Sequence, residues 1–353
     1  MKACIKNLFP LPALLAGLGL ILATGVSAQT SDGMALIPAG SFTMGDTLDG
    51  ESDAIPTVSV YVSAFYMDTN LVNYSQWQAV YNWATSHGYG FVNPGAGKAA
   101  NHPVQMIDWY DCVKWCNARS QQAGLTPVYY TDAALTLVYT SGDLAPYVNW
   151  AASGYRLPTE AEFEKAARGG LSGQRFPWGN TISWSQANYK ADPLSLDPKS
   201  GFAYDLSSAV GYDPTFNDGV VAYTSPVGYF APNGYGLHDM AGNVWKWCWD
   251  WEGMTYAGGS DPHGPATGNS RTLRGGAWLH NADGARYAHR DGDYPTNVGP
   301  RAGLHCVRVQ LAVPVTPVVL SAPQVTGSQT NFTFSLSGPA GSNCVLQVST
   351  NLS

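Results

Sequence analysis

Turn signals divide the half of the chain between residues 170 and 310 into short aromatic segments. Gly-Asn, Asn-Gly and Asn-Asp-Gly sequences occur at 179–180, 233–234 and 217–219, and such sequences favour tight turns. No internal repeat is visible along this region, which argues against a solenoid or a propeller. The sequence therefore predicts a loop-rich domain in which long helices and long strands are rare.

The composition favours the same class of fold. The 353 residues include 39 Gly and 12 Trp, while charged residues make up only 12%, about half the usual share. These values disfavour a helical bundle and are typical of an α+β domain whose core is built from aromatic rings. The net charge of −7 gives no basic surface for nucleic acid.

Regular elements are predicted mainly in the first half of the chain. Residues 34–45 and 57–68 alternate between apolar and polar side chains and predict two strands. Residues 72–86 switch to apolar residues at helical spacing and predict a helix. A second helix is predicted to begin at Asp108, whose side chain can accept hydrogen bonds from free backbone N–H groups.

The third helix has the strongest boundary signals. Thr159 is the predicted N-cap, and Glu162, three residues later, completes a capping box. Gly169 provides the left-handed residue that ends the helix. Arg156, just before the helix, is expected to pair with a carboxylate such as Glu160. Glu160 and Glu162 lie two residues apart and face different ways, so they do not form a catalytic pair.

Five motifs in a fixed order then identify a family. The motifs are Gly-Tyr-Arg-Leu-Pro-Thr-Glu (154–160), Phe-Pro-Trp-Gly-Asn (176–180), Asn-Gly-Tyr-Gly-Leu-His-Asp-Met-Ala-Gly-Asn-Val-Trp (233–245), Leu-Arg-Gly-Gly-Ala-Trp (273–278) and Gly-Leu-His-Cys-Val-Arg (303–308). Together they resemble the formylglycine-generating enzyme (sulfatase-modifying factor) family over about residues 34–308. The resemblance implies a loop-rich, C-type-lectin-like α+β fold.

The resemblance also implies a copper site, which this sequence does not preserve. Family members hold copper between two cysteines, five residues apart, shortly after the Arg-Gly-Gly motif. The matching positions here are His280 and Ala285. Soft thiolates select cuprous copper, and an imidazole with a methyl group cannot replace them. Copper is therefore not expected, no catalytic residue is assigned, and conversion of cysteine to formylglycine is not expected.

Calcium sites of the family are only partly retained. The resemblance places calcium near an Ala-Asn-Tyr motif, which includes Asn188 here, and near a Gly-Asn-Val-Trp-Glu-Trp motif. In the second motif Asn243 remains, but Lys246 replaces the glutamate. An ammonium group donates hydrogen bonds and cannot ligate a hard cation. We therefore expect the second site to be lost or filled by Lys246, whereas calcium beside Asn188 remains compatible with the sequence.

The segment from 278 to 305 is the predicted ligand-binding region. Its fixed motifs alternate with varied polar residues, which resembles the variable region of retroelement-diversified binding proteins that share the lectin-like fold. Ordinary divergence of exposed loops would produce a similar pattern. The candidate ligand-binding residues are Trp278, His280, Asn281, Asp283, Arg286, His289, Arg290, Asp293, Tyr294, Asn297 and His305.

Three hypotheses on function follow. The first is a module that binds a peptide, a glycan or a protein through the 278–305 segment. The second is an oxidoreductase with an altered active site, assisted by a metal ion at His280. Separately, convergence of His280, His289 and His305 with a carboxylate such as Asp283 or Asp293 would form a metal site if the terminal loops fold back. The third is a structural module of the cell envelope, in which the segment has no ligand.

The chain ends predict export and a separate tail. Residues 1–28 combine two lysines, a short apolar run and Val-Ser-Ala, the pattern of a cleaved secretory signal. The remaining chain has no predicted membrane span, so we expect a periplasmic, cell-surface or secreted protein. Residues 34–310 form the predicted family domain. Residues 311–353 are predicted to be a linker and an incomplete β-sandwich-like fragment, with one strand at 331–337 and another at 345–349.

Five cysteines remain after removal of the signal. Cys112 and Cys116 lie one helical turn apart, which is a poor geometry for a disulfide. We expect one of these two to pair with Cys248 or Cys306 if the exported chain is oxidised. The alternative is that all of them are small buried apolar side chains.

Overall fold

A computed structural model describes residues 33–310 and, beyond them, four strands of two residues each. The chain divides into two units between Val309 and Gln310, and the first unit is a loop-rich α+β domain. The predicted signal at 1–28 and the predicted strand at 345–349 lie outside the described residues. None of the helices that the structure describes is both long and apolar enough to cross a membrane.

Each of the two predicted N-terminal strands is a pair of shorter strands. The first region contains β1 (Met34–Ile37) and β2 (Gly40–Met44), and the second contains β3 (Val58–Val62) and β4 (Phe65–Asp68). β1 pairs with β4, whereas β2 pairs with β3 in a different sheet. The chain changes sheet after β1 at Pro38, which has no backbone N–H to continue the ladder.

The three predicted helices are confirmed. They are α1 (Tyr74–Thr85), α2 (Trp109–Gln122) and α3 (Glu160–Arg168). Asn73 caps α1 and Asp108 caps α2, and each side chain accepts a backbone N–H of the first turn at 2.8 and 2.7 Å. These caps satisfy donors that have no partner inside a helix, so the sequence signals specify where the helices begin.

The capping box of α3 is present, and Arg156 pairs with a carboxylate of this helix as predicted, although the partner is Glu162 and not the example Glu160. Thr159 Oγ1 accepts the N–H of Glu162 at 3.1 Å, and the Glu162 carboxylate accepts the N–H of Thr159 at 2.8 Å. Gly169 ends the helix with φ 56°. Arg156 donates two hydrogen bonds of 2.6 Å to Glu162, not to Glu160. The Glu162 carboxylate folds back over the cap and therefore meets the residue that precedes the helix.

Eight further strands complete the first unit. They are β5 (Tyr129–Tyr130), β6 (Tyr147–Val148), β7 (Trp245–Trp251), β8 (Gly259–Ser260), β9 (Arg271–Arg274), β10 (Arg290–Asp293), β11 (Ala302–Gly303) and β12 (Val307–Val309). The largest sheet has the order β10-β9-β7-β11, and smaller sheets have the orders β1-β4-β12, β2-β3-β8 and β5-β6. The 278–305 segment leaves β9 and returns through β10 and β11, so the four-stranded sheet positions it.

The second unit is described only by its short strands. β13 (Val319–Leu320) pairs antiparallel with β16 (Leu336–Ser337), and β14 (Gln324–Val325) pairs antiparallel with β15 (Phe332–Thr333). The region 331–337, predicted as one strand, therefore contains two short strands that pair with different partners.

Stacked aromatic rings fill the core between α1, α2 and the four-stranded sheet. Trp77 and Trp115 lie parallel with ring centroids 5.4 Å apart. The Trp109 ring lies 5.4 Å from Trp249 on β7, and its Nε1 donates to the Cys248 carbonyl at 2.8 Å. The predicted aromatic core is therefore confirmed, and the indole N–H groups of Trp77, Trp109 and Trp115 each donate to a backbone carbonyl.

The described cysteines are all buried and unbonded. Cys116 Sγ lies 3.6 Å from Cys306 Sγ, which brings together two of the thiols that the sequence proposed as partners. Burial raises the pKa of Cys112, Cys116 and Cys248. These three thiols are therefore protonated at neutral pH and poor nucleophiles.

Candidate functional site

The 278–305 segment begins at a double-glycine turn. Gly275 and Gly276 have φ 78° and 70°, values that L side chains rarely adopt. A Cβ on Gly275 would lie 2.4 Å from the Met240 carbonyl oxygen, and one on Gly276 would lie 2.8 Å from the Gly284 carbonyl oxygen. The Arg-Gly-Gly motif is therefore required by backbone geometry.

Trp278, one of the predicted ligand-binding residues, is a core residue of the domain. Its side chain is 4% exposed, and its ring lies 5.5 Å from Tyr212 and 5.1 Å from Tyr223. Its Nε1 donates to the Pro300 carbonyl at 3.0 Å. The indole therefore joins the two ends of the segment through apolar contact and one hydrogen bond.

Arg290 is also structural. Its guanidinium donates to both oxygens of Glu160 at 2.6 and 2.9 Å and lies over the Tyr256 ring at 4.6 Å. Its backbone N–H donates to Asp53 at 2.9 Å. Because the Arg290 guanidinium is buried in this bidentate pair, its N–H groups are not available to a ligand.

Arg286 is fully buried against an acidic loop that the sequence did not single out. Its guanidinium contacts Glu51, lies 3.3 Å from an oxygen of Asp49 and lies 3.8 Å from one of Asp46. Burial lowers the pKa of Arg286, while the nearby carboxylates oppose that shift. We call residues 46–53 the acidic loop, since they carry Asp46, Asp49, Glu51 and Asp53.

His305 does not join the other histidines. It is fully buried, and Nδ1 lies 3.1 Å from the Asp68 carbonyl oxygen. Burial, followed by the charge of Lys246, lowers the pKa of His305 to about 3. The predicted convergence of three histidines is therefore wrong, because His305 follows β11 into the core.

His280 and His289 lie against the Trp245 ring. The ring centroid of Trp245 is 5.2 Å from that of His280 and 5.8 Å from that of His289. His280 Nδ1 accepts a hydrogen bond from Trp245 Nε1 at 2.9 Å. Burial lowers the pKa of both histidines, so both are neutral at pH 7.

His289 faces the acidic loop. Its Nδ1 lies 3.7 Å from a carboxylate oxygen of Glu51 and 3.7 Å from one of Asp53. The three ligand atoms lie within 4.8 Å of one another. Among the described residues this is the group of His, Cys, Asp and Glu side chains that could hold a metal ion. The run of acidic residues at 46–53 was the available sequence signal, and its contact with His289 was not predictable.

Asn281 and Asp283 form the tip of the segment. The Asn281 carbonyl accepts the N–H of Gly284 at 3.2 Å, and the Asp283 carbonyl accepts the N–H of Arg286 at 3.1 Å. Both side chains are half-buried. These backbone turns bring Arg286 back toward the acidic loop, so this part of the segment folds onto the domain.

Residues 294–298 are the exposed part of the segment. Asp293 anchors this loop by accepting the N–H of Tyr294 at 2.9 Å and a hydrogen bond from Arg301 at 2.6 Å. It also accepts a short hydrogen bond from the Asn297 side chain. Tyr294 is 59% exposed. Asp293 and Asn297 therefore support the loop, whereas the Tyr294 side chain projects from it.

A neighbouring loop extends this exposed surface. Met106 is 40% exposed and Val298 is 38% exposed. Met106 N–H donates to the Gly299 carbonyl at 3.1 Å, which joins the two loops. Met106 has φ 57°, a left-handed conformation that costs a non-glycine residue about 1–2 kcal/mol. We call Met106, Tyr294 and Val298 the tyrosine patch.

The residues at the family's copper positions do not fit copper. His280 uses Nδ1 to hold the Trp245 indole, and Ala285 is a buried apolar side chain. Neither provides a thiolate, the ligand that stabilises cuprous copper.

Lys246 occupies the centre of the altered Asn-Val-Trp motif. Its Nζ donates to the carbonyls of Gly242 at 2.6 Å and Gly275 at 3.3 Å. Burial lowers the pKa of Lys246 to about 7, against the opposing charge of Asp239. The ammonium therefore contacts carbonyl oxygens of the kind that ligate calcium. Asn188 is buried and donates to the Tyr223 carbonyl at 2.7 Å, and calcium at this residue stays a prediction.

Comparison with known proteins connects this architecture to a family. A model of the sulfatase-modifying factor enzyme 1-like domain matches residues 22–310. Formylglycine-generating enzyme of Streptomyces coelicolor is 31% identical over 304 residues, covering 79% of this chain and 90% of that protein. Inactive C-alpha-formylglycine-generating enzyme 2 of Mus musculus is 33% identical over 293 residues, covering 77% and 84%. The structure of Treponema denticola variable protein 1 superposes with a TM-score of 0.59 at 27% identity, covering 78% and 95%.

Proposed function

Because the chain belongs to the sulfatase-modifying factor family, we propose that it is an exported member of that family which binds a protein partner instead of oxidising cysteine. The observation that carries this proposal is the tyrosine patch. Two large apolar side chains near the end of the 278–305 segment, Tyr294 and Val298, lie exposed beside Met106 of the neighbouring loop, whereas most other side chains of the segment are buried or half-buried. The proposed binding surface is therefore smaller than the whole 278–305 segment.

The residues at the copper positions argue against the family's oxidation chemistry. His280 and Ala285 cannot supply two thiolates, and the nearby Cys306 is fully buried. A relative that carries the word inactive in its name aligns over most of this chain, which supports a family scaffold used without that activity.

The form of the tyrosine patch favours a protein partner. Tyrosine supplies a large, rigid contact surface with a polar end at low entropic cost, and exposed aromatic residues frequently dominate binding energy. The hydrogen bonds that Asp293 accepts hold the loop in one conformation. A preorganised loop loses little entropy on binding. The strained backbone of Met106 is a further mark of a functional position.

The surface can be tested with a photo-crosslinking residue in place of Tyr294 in cells that export the protein. Tyr229 is 57% exposed, against 59% for Tyr294, and provides a matched control position. We expect a discrete crosslinked protein from position 294 that is absent from position 229 and is lost on Val298→Asp. Equal labelling from both positions, or none from 294, would contradict the proposal.

The absence of cysteine oxidation has a separate test. The purified protein is incubated with copper, oxygen and a Cys-x-Pro-x-Arg peptide, and the peptide mass is followed. We expect no conversion. Formation of the aldehyde product would overturn the proposal and restore the oxidoreductase hypothesis.

A further inference from the structure

The His289 imidazole beside the acidic loop carries a buried nitrogen with no hydrogen-bond partner among the described residues. His289 Nδ1 lies 3.7 Å from Glu51 and 3.7 Å from Asp53, and both separations are too long for hydrogen bonds. Nδ1 is buried and lacks a hydrogen-bond partner among the residues that the structure describes. Leaving a buried acceptor or donor unsatisfied costs about 1–3 kcal/mol. Glu51, Asp53 and His289 therefore surround a point in space without forming hydrogen bonds between the imidazole and the two carboxylates.

We infer that Glu51, Asp53 and His289 form a binding site for one divalent transition-metal ion of the zinc type. An ion equidistant from the three ligand atoms would lie about 2.0–2.4 Å from each, close to the bond lengths of about 2.0–2.2 Å that zinc makes with nitrogen and oxygen. The imidazole ligand selects zinc and similar ions over calcium and magnesium, which take oxygen ligands.

The local charge favours a cation. The four carboxylates of the acidic loop face two guanidinium groups, those of Arg175 and Arg286. Arg175 is paired with Asp49, and the Arg290 guanidinium is occupied by Glu160. Two negative charges are therefore left without a cationic partner among these groups, and one divalent ion would balance them.

Arg286 competes for one ligand without blocking the site. Its guanidinium contacts the same Glu51 oxygen that faces His289. It also lies 3.3 Å from Asp49 and 3.8 Å from Asp46, and Asp46 Oδ2 has no hydrogen-bond partner among the described residues. Arg286 therefore retains Asp49 and Asp46 as nearby carboxylates when Glu51 binds a metal ion.

Solvent access and protonation are compatible with metal binding. The Glu51 and Asp53 side chains are 29% and 30% exposed, so water can complete the coordination of the ion. Burial lowers the pKa of His289, against the charges of Asp283 and Asp53. A neutral imidazole is the form that ligates metals.

This site is separate from the protein-binding surface proposed above, because none of its three ligands belongs to the tyrosine patch. His280 lies against the same indole ring as His289, but its Nδ1 is already bonded to Trp245. His280 is therefore a matched control for His289.

The test uses zinc alone, measured by equilibrium dialysis and calorimetry on the metal-free full chain. We expect one zinc ion per chain and an increase in Tm on its addition. Asp53→Asn keeps an acceptor for the N–H of Arg290 and should weaken zinc binding at least tenfold, as should His289→Gln. His280→Gln should bind zinc as the unchanged protein does. Cobalt, used as a coloured substitute, should show absorption of a nitrogen- and oxygen-ligated ion that disappears in His289→Gln.

Several outcomes would overturn the inference. They are the absence of stoichiometric zinc binding, equal binding by the unchanged protein and Asp53→Asn, loss of binding in His280→Gln alone, and preference for calcium over zinc. Asp53→Asn removes one charge without changing side-chain size, so it keeps the test decisive if His289→Gln does not fold.

Discussion

The 278–305 segment has a part in which charged side chains are buried and a part in which apolar side chains are exposed. In the buried part, the charged residues Arg286 and Arg290 are held inside by carboxylates from distant parts of the chain. In the exposed part, the apolar side chains of Tyr294 and Val298 face solvent. Charged residues in this segment therefore stabilise the fold, while two of its apolar residues form the accessible surface.

The comparison shows why polar character is a poor guide to ligand contact in a loop-rich domain. Few strands and helices are available to satisfy buried backbone groups, so long polar side chains cross the interior and bond to carbonyls. Arg290 donates to the Gly253 carbonyl at 2.8 Å while it pairs with Glu160.

Arg290→Met should have the largest effect on the buried part. It leaves Glu160 without its bidentate partner, and breaking a buried pair typically costs about 3–5 kcal/mol. The free energy of unfolding in denaturant measures the loss. Arg301→Met, which removes a partly exposed partner of Asp293, is the control and should cost about 1 kcal/mol or less. Similar small losses in both variants would show that the buried part does not depend on this pair.

His305 should make the buried part sensitive to acid. Its folded pKa of about 3 lies below the ordinary value of 6.5, so the unfolded chain binds more protons between these limits. Stability is therefore full above about pH 6.5 and falls as the pH decreases toward 3, by about 1.4 kcal/mol for each unit of the pKa difference. Unfolding free energies between pH 4 and 7 should be less pH-dependent in His305→Gln. An unchanged pH profile in that variant would contradict the assignment.

Lys246, under the double-glycine turn, should act in a higher pH window. Its folded pKa of about 7 lies below the ordinary 10.5, so the unfolded chain again binds more protons. Stability should rise as the pH increases from about 7 to 10.5, by up to a few kcal/mol. Lys246→Met should lose this rise, as followed by Tm against pH. A rise of equal size in the variant would assign it to other groups.

The exposed part should tolerate change. Tyr294→Ala should alter the free energy of unfolding by about 0.5 kcal/mol or less, because its side chain faces solvent. The same Tyr294→Ala variant should co-purify less of the partner that the crosslinking residue at position 294 identifies. Destabilisation as large as that of Arg290→Met would remove the distinction between the two parts.

The smallest expected effect is the change in Tm on calcium binding at the predicted site beside Asn188. A Tm increase in millimolar calcium that is lost in Asn188→Ala is the expected outcome, and no shift would count against the prediction. Zinc stabilisation through His289 is distinguishable, since Asp53→Asn removes the zinc effect and should leave the calcium effect unchanged.

Local sequence signals were sufficient for the elements with short-range causes. The predicted caps at Asp108 and Thr159 lie within three residues of the N–H groups that they accept. The double-glycine turn follows from the positive φ of Gly275. The ordered motifs identify the family, because they record many such local requirements at once.

Contacts between distant residues required the folded chain. Arg290 and Glu160 are 130 positions apart, and the Arg290 N–H bonds to a residue 237 positions away. From the sequence alone, Arg156 was an equally plausible ion-pair partner of Glu160, and nothing distinguished His305 from the other histidines of the segment. The partner of Glu160 is decided by the contacts of Arg290 on β10 with α3 and the acidic loop, and the role of His305 is decided by its burial after β11. Both depend on distances in space that residue spacing does not encode.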